Sequence, residues 1–126
     1  MALNRLLLAD KSALERATPA MLALGEICVC AITRLELLHS ARSASDYTAI
    51  EERLALFREL RVDAETISTA VTAHRELGRK GRHRLPIPDL LIAACAQQHQ
   101  AAVLHIDRHY DVLAEVLSFE PVRLDS

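Results

Sequence analysis

The 126-residue sequence has few of the residues that interrupt regular backbone, with only three glycines and four prolines. It also lacks any run of the roughly 20 apolar residues that a membrane-spanning helix needs. The apolar N-terminal segment is interrupted by Arg5 and closed by Asp10, so it predicts neither a signal peptide nor a membrane anchor. We therefore expect helices and strands over most of the chain and no association with a membrane.

Cysteines are equally scarce, and their number is odd. Cys28, Cys30 and Cys95 lie in apolar surroundings, which is typical of buried thiols in a reducing compartment. Cys28 and Cys30 would share one face of a strand, which leaves a metal-binding pair open as an alternative. The chain lacks the CxxC spacing and the second pair of a zinc site, which makes that alternative the weaker one. We expect a cytoplasmic protein without disulfides.

The remaining composition is that of an ordinary globular protein, 51% hydrophobic and 25% charged. Residues 1–126 fit one compact domain and are too few for two. The formal net charge of −2 argues against a protein that binds nucleic acid through charge alone. Residues 75–84 are nevertheless locally basic, with four arginines and one lysine. They have two interpretations, a solvated helix end or a surface that contacts phosphate.

Short apolar runs alternate with longer stretches of helical spacing, a pattern typical of βα units around a mainly parallel sheet. The predicted strands are residues 6–9, 27–31, 60–62, 102–106 and 119–123. The predicted helices are residues 33–41, 47–60, 65–77 and 108–117, together with a buried helix opened by Asp89. Ser45 or Asp46 would cap the second helix, and Pro86 and Pro88 would hold extended backbone before the buried one.

Four acidic residues occupy related places in these units. They are Asp10 at the end of the first strand, Glu36 one helical turn beyond the second, Asp89 at the start of the buried helix, and Asp107 after the fourth strand. Because open parallel sheets bind ligands at the carboxyl ends of their strands, we expect the four carboxylates to meet at one edge. Each also fits a structural role, since the three aspartates occupy helix N-cap positions and Glu36 follows Thr33 at capping-box spacing.

The surroundings of two of these acids favour a functional interpretation. Asp89 is followed by seven uncharged residues, so its carboxylate is expected near a buried layer, where an isolated charge is costly. Glu36 has leucine at positions 35, 37 and 38. No lysine or arginine lies one helical turn from Asp89, so a divalent cation is its natural partner. Oxygen ligands with few histidines favour Mg²⁺ or Mn²⁺ over Zn²⁺.

A resemblance to a known family is carried by four stretches in order, LLLADKSAL, ITRLELL, IPDLLIAACA and VLHIDRHYDVLA. With this order and spacing the chain resembles the PIN-domain ribonucleases, most closely the VapC-type toxins of bacterial toxin–antitoxin pairs. The resemblance implies an α/β fold, a three-layer α/β/α sandwich with a mainly parallel central sheet. It also implies a Mg²⁺- or Mn²⁺-dependent endoribonuclease that leaves 5′-phosphate and 3′-hydroxyl ends, a homodimer, and a VapB-type antitoxin that wraps and blocks it.

The resemblance also assigns roles to individual residues. Asp10, Glu36 and Asp89 match the three core metal-binding acids of the family, and Asp107 matches the acid of its fourth motif. Ser12 matches the small hydroxyl residue that supports the site. With the resemblance, we expect all four acids to be catalytic metal ligands.

The chain departs from the family pattern at two positions. Lys11 stands where many relatives have threonine or serine, and its ammonium group has two interpretations, a phosphate contact or a solvated side chain. His109 stands where many relatives carry a second acid. It has three interpretations, a weaker metal ligand, a general acid or a helix-surface residue.

Two other functions fit parts of the sequence. A receiver-type phosphoacceptor domain needs an aspartate after the third strand and a lysine late in the chain; Asp63 could supply the first, but the last lysine, Lys80, lies in a predicted loop. A non-catalytic PIN-fold interaction module would follow if His109 had replaced an essential acid. The RNA target cannot be predicted, because only 3% of the residues are aromatic and few bases could stack on them.

Overall fold

The computed structural model describes residues 5–16 and 25–124, which form one β-sheet with helices on both faces. The strands are β1 (Arg5–Leu8), β2 (Glu26–Cys30), β3 (Arg58–Leu60), β4 (Ala101–His105) and β5 (Glu120–Arg123). The helices are α1 (Lys11–Arg16), α2 (Ala31–His39), α3 (Ala44–Leu54), α4 (Ala64–Arg79), α5 (Ile87–His99) and α6 (His109–Leu113). Among these residues no helix is both long and apolar enough to cross a membrane.

The sheet has the strand order β3-β2-β1-β4-β5, and every pair of neighbouring strands is parallel. The mainly parallel sheet predicted from the sequence is therefore confirmed. β1 and β4 are central neighbours, with Leu8 opposite Leu104 in the register. The residues that follow these two strands consequently emerge side by side at the carboxyl edge of the sheet.

Alternate residues of the strands point into two separate hydrophobic cores. Leu7 and Val103 pack with α4, α5 and α6 on one face, whereas Leu8 and Leu104 pack with α1, α2 and α3 on the other. All three cysteines are buried, and Cys28 and Cys30 lie in the first of these cores. Two helical layers around one sheet confirm the predicted α/β/α sandwich.

The third strand and the helix before it differ from the prediction. α3 ends at Leu54. A turn then leads into β3, and in it the Phe57 N–H donates to the Leu54 carbonyl. The predicted bounds of the helix, 47–60, and of the strand, 60–62, were therefore wrong. Two of the three residues of β3 are exposed charged side chains, which hides the strand in the hydrophobic pattern. The helix cap is Ser43, whose Oγ accepts from the Asp46 N–H at 3.1 Å, rather than Ser45 or Asp46.

The buried helix also begins earlier than predicted. α5 starts at Ile87, with Pro88 inside its first turn, where a proline costs no hydrogen bond because the first N–H groups of a helix have no partner within it. Asp89 therefore lies within the first turn and not at the N-cap, which is Pro86. The predicted final helix over 108–117 was too long, since α6 ends at Leu113.

Candidate metal centre

Three side chains from two segments meet beyond the carboxyl end of β4. His109 Nδ1 lies 3.1 Å from Asp89 Oδ2 and 3.1 Å from Asp107 Oδ1. One ligand atom from each of the three residues lies within 4.8 Å of the other two, and all three side chains are half-buried. The structure thus brings Asp89 and Asp107 together as predicted, and it adds His109 to them.

The chain around β4 places two of these groups. Asp107 follows the strand by two residues, and its Oδ1 accepts the His109 N–H at 3.0 Å, which fixes the start of α6. The predicted N-cap position of Asp107 was wrong by one residue, because the N-cap of α6 is Arg108. Since His109 is the first residue of α6, the same bond holds its imidazole beside the carboxylate that receives it.

Asp89 reaches the group from α5 and is held by hydrogen bonds to α6. Its Oδ1 accepts from the Tyr110 hydroxyl at 3.2 Å, and its Oδ2 lies by His109 Nδ1. Burial raises the pKa of Asp89 above its usual value, the hydrogen bond from His109 acts in the opposite direction, and the nearby charge of Asp107 adds to the increase. The carboxylate of Asp89 is therefore costly to ionise without a cation, as the apolar sequence around it predicted.

Two buried residues of this region were missed by sequence reasoning. Tyr110 is only 1% exposed, and burial, followed by the charges of Asp89 and Asp10, raises the pKa of its hydroxyl. His105 is fully buried with its ring 5.0 Å from that of Tyr110, and neither of its ring nitrogens has a hydrogen-bond partner among the described residues. The signal in the sequence was the rarity of tyrosine, since one of only two tyrosines lies three residues after Asp107.

Asp10 lies at the same edge of the sheet but outside the three-residue group. It follows β1, the neighbour of β4, and its Oδ1 accepts the Ala13 N–H at 2.9 Å, so its predicted capping role is confirmed. Its charge adds to the rise in the pKa of Tyr110. Ser12 is half-buried in the first turn of α1, and the Lys11 ammonium lies 4.0 Å from Glu15.

Glu36 is exposed on α2 and is not part of the three-residue group. The capping-box interpretation of Thr33 and Glu36 was wrong, because the N-cap of α2 is Cys30 and Thr33 lies inside the helix. The buried Thr33 hydroxyl instead donates to the Leu8 carbonyl at 2.7 Å. This bond fixes α2 against the end of β1, the strand that leads into Asp10.

Asp63 has a structural role that does not suit a phosphoacceptor. It caps α4 through a capping box with Thr66, and its Oδ1 accepts from Gln98 Nε2 at 2.9 Å. The hydrogen bonds from Gln98 and Arg61 lower the pKa of its carboxyl to about 2. Its contacts account for its acidity, and they leave the receiver-type interpretation without support.

The donor set at Asp89, Asp107 and His109 fits a divalent cation. Two carboxylates and one imidazole are common ligands of such ions, and a cation would offset the cost of holding two carboxylates close together. The hydroxyl of Tyr110, which donates to Asp89, would act as an outer partner that orients this carboxylate toward such an ion.

Comparisons with known proteins agree on one family. A family model described as PIN domain matches residues 2–116. The chain is 40% identical to Ribonuclease VapC17 of Mycobacterium tuberculosis over 114 residues, which covers 85% of this chain and 86% of the relative. It is 39% identical to Ribonuclease VapC18 of the same organism over 100 residues, with coverage of 77% and 73%.

Solved structures with the same fold belong to toxin–antitoxin complexes. The DNA-bound VapBC of Salmonella typhimurium has a chain that matches with a TM-score of 0.78 at 18% identity, covering 98% of this chain and 100% of the other. VapBC-5 of Mycobacterium tuberculosis matches with a TM-score of 0.74 at 23% identity, with coverage of 95% and 98%. At these identities the likeness establishes a shared fold.

Proposed function

This chain belongs to the PIN-domain family and, within it, to the VapC ribonucleases, and from this premise we propose that it is a divalent-cation-dependent endoribonuclease that acts as the toxin of a toxin–antitoxin pair. The observation that carries the proposal is the meeting of Asp89, Asp107 and His109 within 4.8 Å at the carboxyl edge of the sheet. We further propose that residues 1–126 form a single nuclease domain and that it acts in the cytoplasm, where RNA is available.

The chain's own residues prepare this site for an ion and a phosphodiester. Asp89 and Asp107 would hold the ion, and Tyr110 keeps the Asp89 carboxylate in place by donating to it at 3.2 Å. Asp10 and Glu36, which match the family motif, are proposed to complete the ligand set, with Ser12 supporting Asp10. When bound, Mg²⁺ or Mn²⁺ promotes the ionisation of water and neutralises charge on the scissile phosphate.

The packing of two helices supports a nucleic-acid substrate. The contact between Asp63 and Gln98 joins the start of α4 to the end of α5, so these two helices run antiparallel. The end of α4 and the loop that follows it therefore lie at the same end of the pair as Asp89. This end of α4 begins the basic segment 75–84.

Part of the positive charge in this segment is already neutralised. Arg79 pairs with Glu76, and Arg82 makes two contacts of 3.2 Å with Glu115 beyond α6. The other three cations have no ion pair among the described residues: Arg75, Lys80 and Arg84. We propose that these three contact RNA phosphates, the second of the two interpretations that the sequence left open.

A cleavage assay on purified protein tests the proposed activity. Wild type is expected to cleave a mixed-sequence RNA pool with Mg²⁺ or Mn²⁺ and to stop when EDTA is added. Asp89→Asn should lose more than the roughly 10- to 100-fold that changes in outer partners of a metal cause. Asp111→Asn, which alters an exposed acid one turn beyond Asp107, should keep full activity. Unchanged cleavage by Asp89→Asn, or cleavage in EDTA, would refute the proposal.

A groove between α2 and α3 supports a protein partner. It has a volume of about 670 Å³, an apolar floor that includes Leu38, Leu54 and Phe57, and an exposed rim residue, Leu35, which is 64% accessible. The VapBC structures are complexes of a toxin with its antitoxin. We propose that an apolar segment of a VapB-type antitoxin occupies this groove and blocks the nuclease, and that the toxin itself is a homodimer.

Co-expression with the antitoxin tests the proposed groove. Leu35→Asp should remain an active ribonuclease but escape neutralisation, because a buried charge would oppose docking of an apolar segment. Ile67→Asp is the matched control, since Ile67 is exposed on α4 and does not line the groove. Neutralisation of Leu35→Asp as complete as that of the control would contradict the assignment of the groove.

A further inference from the structure

We infer that His109 is an imidazole ligand of the metal centre and makes it select a first-row transition ion, such as Mn²⁺ or Co²⁺, over Mg²⁺. The inference rests on the proposed function, because it concerns the same centre, and it assigns to this chain a choice of ion that the carboxylates alone would not make.

The position of the imidazole is the first argument. Nδ1 of His109 lies 3.1 Å from an oxygen of Asp89 and 3.1 Å from an oxygen of Asp107, so the ring nitrogen and both carboxylates face one small space. The nitrogen that hydrogen-bonds to Asp89 in the absence of an ion would release its proton and offer its lone pair to a cation held by the two oxygens. The backbone bond from His109 to Asp107, at 3.0 Å, holds the start of α6 and with it the ring.

The chemistry of the donors is the second argument. Mg²⁺ is a hard ion that prefers oxygen ligands and an octahedral shell with several waters. Imidazole nitrogen binds first-row transition ions more strongly, in the rising order from Mn²⁺ through Co²⁺. One nitrogen among two carboxylates therefore adds little to the binding of Mg²⁺ and much to the binding of a transition ion.

Another buried imidazole does not share this arrangement. His105 lies against Tyr110 in the core, and its ring nitrogens do not belong to the group of ligand atoms within 4.8 Å. His109 is thus the one histidine of the described residues that could supply nitrogen to the centre together with Asp89 and Asp107.

The test measures ion binding directly and without RNA. Calorimetric titration of Mn²⁺, Co²⁺ and Mg²⁺ into the full-length wild type should give at least about tenfold tighter binding of the transition ions. His109→Asp should reduce the ratio of Mn²⁺ affinity to Mg²⁺ affinity at least about tenfold. His83→Asp, which changes an exposed histidine in the α4–α5 loop, should leave the ratio as it is in wild type.

A spectroscopic measurement identifies the ligand. Pulsed electron paramagnetic resonance of bound Mn²⁺ should detect coupling to one ¹⁴N nucleus in wild type and in His83→Asp, and none in His109→Asp. If His109→Asp does not fold, His109→Gln replaces it with the same expectation. Absence of nitrogen coupling in wild type, equal affinity ratios in wild type and variant, or no binding of any of the three ions would each overturn the inference.

These outcomes separate the inference from the proposed function. Nitrogen coupling from His109 in a protein that cleaves no RNA with any ion would refute the ribonuclease and leave the choice of ion standing. Cleavage supported equally well by Mg²⁺ and Mn²⁺, with equal affinities for both ions, would retain the ribonuclease and reject the role of His109.

Discussion

At the residue scale, the features that suit Asp89 to a metal site do not stabilise the fold. It is a half-buried carboxylate whose pKa is raised by burial, and it sits beside a second carboxylate, Asp107. Neither feature stabilises the ion-free fold. A carboxylate that weakens the fold and lies in a candidate metal centre is typical of an active site, where function and stability are often opposed.

The raised pKa of Asp89 gives a prediction for stability and its pH dependence. As the pH rises, Asp89 loses its proton near pH ~3.9 in the unfolded chain and only at a higher pH in the folded chain. Ionisation of Asp89 therefore destabilises the fold at pH 7, and this effect is absent below pH ~3.9, where the carboxyl is protonated in both states. Asp89→Asn should therefore raise the melting temperature in EDTA at pH 7, and the gain should vanish as the pH falls below about 4.

Thermal unfolding of wild type, Asp89→Asn and the control Asp111→Asn measures this effect. Addition of Mn²⁺ should reverse the order, because an ion that binds only the folded wild type stabilises it by mass action. A melting temperature of Asp89→Asn below that of wild type in EDTA would contradict the account of this carboxylate.

Tyr110 gives a second prediction at this scale, as a positioning residue that acts through Asp89. Tyr110→Phe removes the hydroxyl that donates to Asp89 while it keeps the buried ring, so the affinity for Mn²⁺ should fall roughly 10-fold. Tyr47→Phe is the matched control, because Tyr47 is 43% exposed on α3. Equal Mn²⁺ affinities of the two variants in calorimetry would exclude the positioning role.

The sequence could predict part of this site and not the rest. Asp107 was predictable because it follows a buried strand, and Asp89 because no cation lies within one turn of it. The contact between His109 and Asp89 joins residues 20 positions apart, and no local pattern encodes it. The proposed participation of Asp10 and Glu36 stays a prediction, since the former caps α1 and the latter is exposed on α2.

At the scale of elements, four of the five strands were predictable and the short exposed strand β3 was not. β1 and β4 were placed within one residue of their observed bounds because both are buried on two faces and read as continuous apolar runs. β3 is short and mostly exposed, so its residues lack the apolar pattern of a strand. The helical spacing of the preceding residues was therefore extended over it in the prediction. The start of α5 was placed too late for a different reason. Pro88 was expected to precede the helix, but proline is also common in the first turn of a helix.

The loop between α4 and α5 carries a prediction about RNA binding. Arg84→Gln should weaken binding of single-stranded RNA and lower the slope of log affinity against log salt by about 0.7, the contribution of one phosphate contact. Arg53→Gln, which alters an exposed arginine on α3, should leave the slope unchanged. Both are measured in EDTA so that no RNA is cleaved. An unchanged slope in Arg84→Gln would mean that this arginine is solvated and does not contact phosphate.

At the scale of the whole molecule, the strand order of the sheet brings the acidic residues to one edge. β1 and β4 are far apart in sequence but adjacent and parallel in the sheet, so Asp10 and Asp107 emerge at one edge. The sequence predicted this convergence through the rule that parallel strands present ligands at their carboxyl ends. It could not predict distances between side chains, because these depend on how α5 and α6 pack across that edge.

The central claim is that Asp89 and Asp107, with His109 beside them, hold one divalent cation. A crystal of the full-length protein grown with Mn²⁺ tests it most directly, through the anomalous scattering of the ion. The account predicts a peak coordinated by a carboxylate oxygen of Asp89 and one of Asp107. A peak bound elsewhere on the protein, with these two carboxylates turned away from each other, would contradict it.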